Sequence, residues 1–250
     1  MSEKETVVDT SYLEEVAGQG FENMSQSEMA VPRLLIAQPL SGVVSNGTVP
    51  QGHFYNSITG KDYGTELQVI VCYFQKVWVE WKPDQGGYVG TYPVNGLEGV
   101  TGDNYTGMHH TGADGSINDV VETWNYLVVL PDHMEDGYMI FGSTPGNLKY
   151  LKGWNTQLSY LRTPGGKPAP IFSAIWNMVI NKDQNKKGNT FYSCNKDGKS
   201  SITQDSWVEK ETFMNYVKPA RDSAEQALAL ADNRVDVRAI EADSEESTAY

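Results

Sequence analysis

The chain is 250 residues long, with 39% hydrophobic and 20% charged residues, a make-up that excludes a wholly disordered protein. Its formal net charge of −13 argues against a protein that is basic throughout, yet the charge is segregated. Residues 1–145 carry net −14, residues 146–220 net +6 and residues 221–250 net −5, and a polyanion responds to charge within about one Debye length, ~8 Å at physiological salt, rather than to the total.

Residues 1–30 read as a polar arm with two helical turns, each opened by a capping box, Ser11 to Glu14 and Ser25 to Glu28. Arg33 to Gln38 is a first core strand. Residues 41–66 are rich in turns, with a short strand at His53 to Tyr55. The strongest strand signal follows, Leu67 to Trp81, apolar through Phe74 and alternating after it. Its length suits a coiled strand shared between two halves of a small closed barrel. Residues 83–120 are heavy in glycine and poor in apolar residues, and are expected to form a long inserted loop. Val121 to Leu130 and Tyr138 to Gly142 form a further strand pair. Leu148, Leu151, Trp154, Leu158 and Leu161 then recur at helical spacing, predicting one amphipathic helix.

Residues 170–199 contain two strand-like runs, Phe172 to Ile180 and Thr190 to Cys194. They predict a hairpin with a lysine-rich tip at 181–189. Ile202 to Trp207 adds a last strand or turn, Lys210 to Val217 a short helix, and Ala224 to Ala231 another. The end of the chain is acidic and is expected to be disordered. The domain plan is therefore an arm at 1–30, one binding domain at 31–217, and a short helix with an acidic tail at 218–250.

Enzymatic signatures are missing. The Gly-Lys-Ser at 198–200 lacks the upstream glycine of a phosphate-binding loop, since position 193 is serine. No nucleophile elbow, paired-carboxylate frame or metal-ligand spacing is present, and His109-His110 lies in the expected loop without supporting ligands. The expectation is a protein that is not an enzyme and holds neither metal nor cofactor. Cys72 and Cys194 form no CxxC and read as buried thiols of a reducing compartment. No leader pattern and no membrane-length apolar run occur, so the protein is expected to be soluble, cytoplasmic and without a membrane partner.

Aromatic residues on strands beside lysines suit a single-stranded nucleic acid, whose bases stack on rings while its phosphates pair with ammonium groups. The expected platforms are Tyr73, Trp78, Trp81, Trp176 and Tyr192, with Trp81 the most inclined to be core. The expected phosphate contacts are Lys149, Lys152, Arg162, Lys182, Lys186 and Lys187. Glu241, Asp243, Glu245, Glu246 and Tyr250 form a tail that competes for the basic groove or recruits partner proteins.

The phrases Met29-Ala-Val-Pro-Arg-Leu34, Phe54-Tyr-Asn-Ser-Ile-Thr-Gly60, Val71-Cys-Tyr-Phe-Gln-Lys76 with Glu80-Trp81, Pro170-Ile-Phe-Ser173 and Lys187-Gly-Asn189 resemble a family of tailed-bacteriophage proteins. Its members resemble phage single-stranded DNA-binding proteins. That resemblance covers roughly residues 20–200. It implies a mainly β (α+β) fold, an OB-fold-like small β-barrel with an acidic C-terminal tail. It also implies a replication or recombination accessory in the cytoplasm of an infected host, coating single-stranded DNA as a monomer or homodimer. The competing expectation is an acidic phage protein that inhibits a host nucleic-acid enzyme by mimicking DNA, and a virion component is a third.

Overall fold

A computed structural model describes residues 19–20, 30–83, 87–94, 96–103, 107–143, 148–184 and 188–224. The polar arm, the tail and the helix expected at 224–231 fall outside this range, apart from residues 19, 20, 30 and 224.

The fold is mainly β, an OB-like half-barrel curled around one long strand. That strand, β4 (Glu66–Trp81), carries consecutive apolar residues because both of its faces are covered. Leu67, Val69 and Val71 enter one core with Trp124, Tyr126 and Val128. Ile70 and Cys72 enter a second with Leu127, Val129 and Ile140. The first part of β4 pairs with β10 (Ala174–Val179), Ile70 facing Ile175. From Ile70 onward it pairs with β8 (Ile117–Val129), and from Val77 also with β5 (Tyr88–Pro93). A bulge between Val71 and Tyr73 sits where the strand passes between the halves, and bulges sharpen twist and bend.

β8 turns through the 3-10 segment Pro131–Asp136 into β9 (Tyr138–Gly142). β9 runs parallel to β1 (Arg33–Ile36), Leu34 facing Phe141. β1 continues the sheet through β2 (Phe54–Asn56) to β3 (Asp62–Gly64). The other end of the sheet is β15 (Ile202–Trp207), paired with β10. Helix α1 (Leu148–Tyr160) joins β9 to β10 and lays Leu151, Trp154 and Leu158 into the larger core against Tyr126 and Trp176. The outer face is covered by a helix α2 at 210–222, where Val217 and Ala220, followed by Ala224, pack on Ile70, Cys72 and Val129. This helix runs past the boundary expected at 217. It widens to a π turn at Phe213–Val217, just before Pro219, a residue without an N–H that crowds the carbonyl four residues back.

Two expectations need correction. The segment at 83–120 is not a plain loop. It forms β5, β6 (Thr101–Asp103) and β7 (Gly107–Thr111), and β7 pairs with the start of β8. These strands build an arm with the far halves of β4 and β8, and they are half-exposed, so no apolar alternation marks them. The predicted hairpin is also displaced. The run at 172–180 is a strand of the main sheet, held between β4 and β15. The hairpin pairs β11 (Asn181–Gln184) with β12 (Thr190–Ser193), a ribbon too polar to show periodicity.

This ribbon stands outside the main sheet and is held by the side-chain amide of Gln38, two residues past the end of β1. The Gln38 side chain donates to the Tyr192 carbonyl at 2.9 Å and accepts from the Tyr192 N–H at 2.9 Å, as a neighbouring strand would. The Tyr192 ring rests on Gly52, whose φ is +80° and where a Cβ would lie 2.6 Å from the ring. Both cysteines are free and buried, and burial pushes each thiol up to about 12. No helix among the described residues is long and apolar enough to cross a membrane.

Candidate nucleic-acid interface

The basic segment of the sequence folds into elements that touch one another. The ribbon β11–β12 meets a smaller hairpin, β13 (Asn195–Lys196) with β14 (Lys199–Ser200), where Asn195 donates to the Asp183 carboxylate at 2.9 Å. That hairpin leans on α1, where a Cβ on Gly153 would lie 3.6 Å from Ser200. Lys152 on α1, Lys167 on the loop after it, Lys182 on β11, and Lys196 and Lys199 are all exposed. None of them makes an ion pair among the described residues. Two lysines of the acidic half, Lys61 and Lys76, are paired. Hydrogen bonds to Asp136 and then Glu135, at 2.7 and 2.8 Å, hold the Lys61 ammonium well above the usual lysine range. Lys76 is paired with Glu122 at 2.7 Å. The negative half is thus partly self-neutralised at these two lysines, while Lys152, Lys167, Lys182, Lys196 and Lys199 present their charge outward.

The predicted contacts distribute as follows. Lys152 and Lys182 are exposed, and Lys182 lies directly across from Tyr192. Arg162 is exposed, but its guanidinium donates to the Ser159 and Leu161 carbonyls at 3.1 and 2.9 Å, closing the end of α1. Lys149 lies on α1 with its side chain outside the described residues, as are Lys186, Lys187 and the tail residues Glu241, Asp243, Glu245, Glu246 and Tyr250. Tyr192 is half-buried against Gly52, and Tyr73 is 36% exposed beside the bulge. Trp81 is half-buried, edge-on to Tyr88 at 5.8 Å.

Two of the expected platforms are closed to a base. Trp176 is 1% exposed and stands edge-on to Trp154 in the main core. Alternation on β10 turns it inward, because the strand has one face toward α1. Trp78 is 9% exposed, donates its indole N–H to the Val94 carbonyl at 3.0 Å, and has the Lys76 ammonium 5.9 Å above its ring. The residues that sequence reasoning missed are Tyr160, 71% exposed at the end of α1, Trp207, 40% exposed on β15, and the Lys196/Lys199 pair. An Asp-Gly turn flanked by lysines was the available signal for the pair.

The arm holds a second polar group that the sequence did not reveal. Glu80 is 1% exposed on β4. It accepts hydrogen bonds from His110 Nδ1 on β7 and Asn118 Nδ2 on β8, both at 2.7 Å. Burial alone raises its carboxyl, but the bonds from His110, Asn118 and Tyr92 outweigh it, and the net shift is downward. A depressed folded-state value means stabilisation that is present above the ordinary glutamate value of about 4.3 and lost as pH falls through the lower folded value. Glu80→Gln is therefore expected to be less stable than the parent at pH 7, by about 1.5–3 kcal/mol for the charged hydrogen bonds. The gap should narrow below pH ~4. Urea unfolding at pH 7 and pH 3 checks this, and an equal gap at both would contradict it. His133, Glu135 and Asp136 also converge, with ligand-capable atoms within 4.8 Å of one another, but Lys61 already supplies their counter-charge.

The chain matches the family described as Pam3 phage gp34-like protein over residues 2–221. No curated protein and no solved structure matches it.

Proposed function

We propose, from the premise that the chain belongs to the Pam3 phage gp34-like protein family, that it binds single-stranded DNA without sequence preference during phage DNA replication or recombination. The observation that carries this reading is the set of exposed lysines on α1 and the two hairpins that have no ion pair among the described residues, set on an OB-like half-barrel. Phosphate contacts of this kind hold a strand without reading its bases. OB-folds bind strands across a sheet face and through the loops after the first and fourth barrel strands. Here β4 and β10 take those places, and they lead into the arm and into β11–β12. This last step is an analogy of fold.

Tyr73, Trp81, Tyr160 and Trp207 offer ring surface, and stacking on such rings contributes about 1–3 kcal/mol per base. The protein acts by coating rather than by catalysis, in the cytoplasm of the infected host. Its acidic tail competes for the basic elements or engages replication proteins. The test is a gel shift of the full chain with an oligothymidylate and with a duplex of equal length. Retardation of the single strand in preference to the duplex is expected. An unshifted single strand would overturn the reading, and capture of a host nucleic-acid enzyme by that same protein would favour the DNA-mimic alternative.

A further inference from the structure

We propose that Lys196 and Lys199 form a clamp for one phosphodiester group, an inference that rests on the single-strand reading and adds a defined contact to it. In the β13–β14 hairpin Asn195 lies opposite Ser200 and Lys196 opposite Lys199. Side chains alternate between the faces of a strand, so one face carries Asn195 and Ser200 and the other carries the lysines.

The first face is anchored. Asn195 is 4% exposed and bonded to Asp183 at 2.9 Å, and Ser200 sits against Gly153 of α1. The second face is open, with both lysines exposed and no ion pair to either among the described residues. The connecting Asp197-Gly198 has φ of +51° and +81°, the left-handed pair of a tight two-residue turn. Asp197 is the one non-glycine residue among those described with positive φ.

The two lysines are thus fixed opposite each other. Their Cβ atoms stand roughly 4.5–5.5 Å apart, a separation at which like charges weaken a hairpin. An anion with two oxygens between the ammonium groups removes that repulsion and gains two charge-assisted hydrogen bonds. A phosphodiester has two such oxygens. Exposed Lys152 and Lys182 lie on the elements that pack against this hairpin, and a nucleic-acid backbone offers them further phosphates, which a lone carboxylate does not.

Two measurements on the full chain test the clamp. In a lysine-acetylation footprint, saturating oligothymidylate should protect Lys196 and Lys199 while leaving Lys61 unchanged. In Lys196→Ala/Lys199→Ala, the slope of log K against log salt should flatten by about 0.7, the one phosphate that the pair holds on a single strand. Lys210→Ala should leave the slope as it is. A protein that binds the oligonucleotide with both lysines unprotected and the slope unaltered would overturn the clamp and leave the single-strand reading standing. A protein that binds no oligonucleotide at any salt would overturn both.

Discussion

Trp154→Ala should be the most damaging single substitution in the core. Trp154 is fully buried, stacked on Tyr126 at 4.7 Å and 28°, and edge-on to Trp176 at 6.1 Å. With Leu151 and Leu158 it fastens α1 to the inner face of the half-barrel. Truncating a buried tryptophan costs about 3–5 kcal/mol, a large share of the about 5–15 kcal/mol that stabilises a domain. For a chain of this size that corresponds to a fall in Tm of roughly 6–20 °C, at about 2–4 °C per kcal/mol. Trp154→Phe should cost much less, because the indole N–H finds no acceptor among the described residues and its removal leaves nothing unpaired. Thermal unfolding of both variants checks the pair. A Trp154→Ala protein melting within about 2 °C of the parent, less than one kcal/mol on that scale, would show that α1 is not fastened there.

The second large effect concerns binding. Lys152 and Lys182 lie on elements that each pack against the β13–β14 hairpin, are exposed, and have no ion pair among the described residues. Replacing both by alanine should weaken binding to all single-strand sequences alike, and should flatten the salt slope by about 0.7 for each phosphate left without its lysine. Arg162→Ala should add little to this, since its guanidinium is already committed to the Ser159 and Leu161 carbonyls. Fluorescence anisotropy of labelled single strands of different base sequence at several salt concentrations reads both variants. Weakening that depends on base sequence would mean that these lysines do not contact phosphate.

β4 and α1 were legible in the sequence because each buries a continuous set of side chains and so carries a periodic signal. The bulge and the sharing of β4 between two sheet halves were legible only as unusual length. The strands β5, β6 and β7 were hidden because glycines such as Gly90 and Gly102 interrupt them and neither face is a core face. The lysine-rich stretch announced the basic region but not its architecture. Trp176 shows the limit on the aromatic side. A tryptophan beside basic residues in sequence can serve the core or a ligand, and only the neighbouring helix decides which face of β10 is closed. Glu80 gave no signal at all, since a single acid in an alternating strand is normally solvated.

The central claim is that the basic segment overrides the chain's net charge of −13 when a single strand approaches. It is tested most directly by titrating the full chain into a fluorescent oligothymidylate at low and at physiological salt. Saturable binding that weakens steeply with salt is expected, with a log–log slope of about −2 or steeper for three or more phosphates contacted. A flat anisotropy trace at low salt, where attraction to an exposed basic surface is least screened, would contradict it.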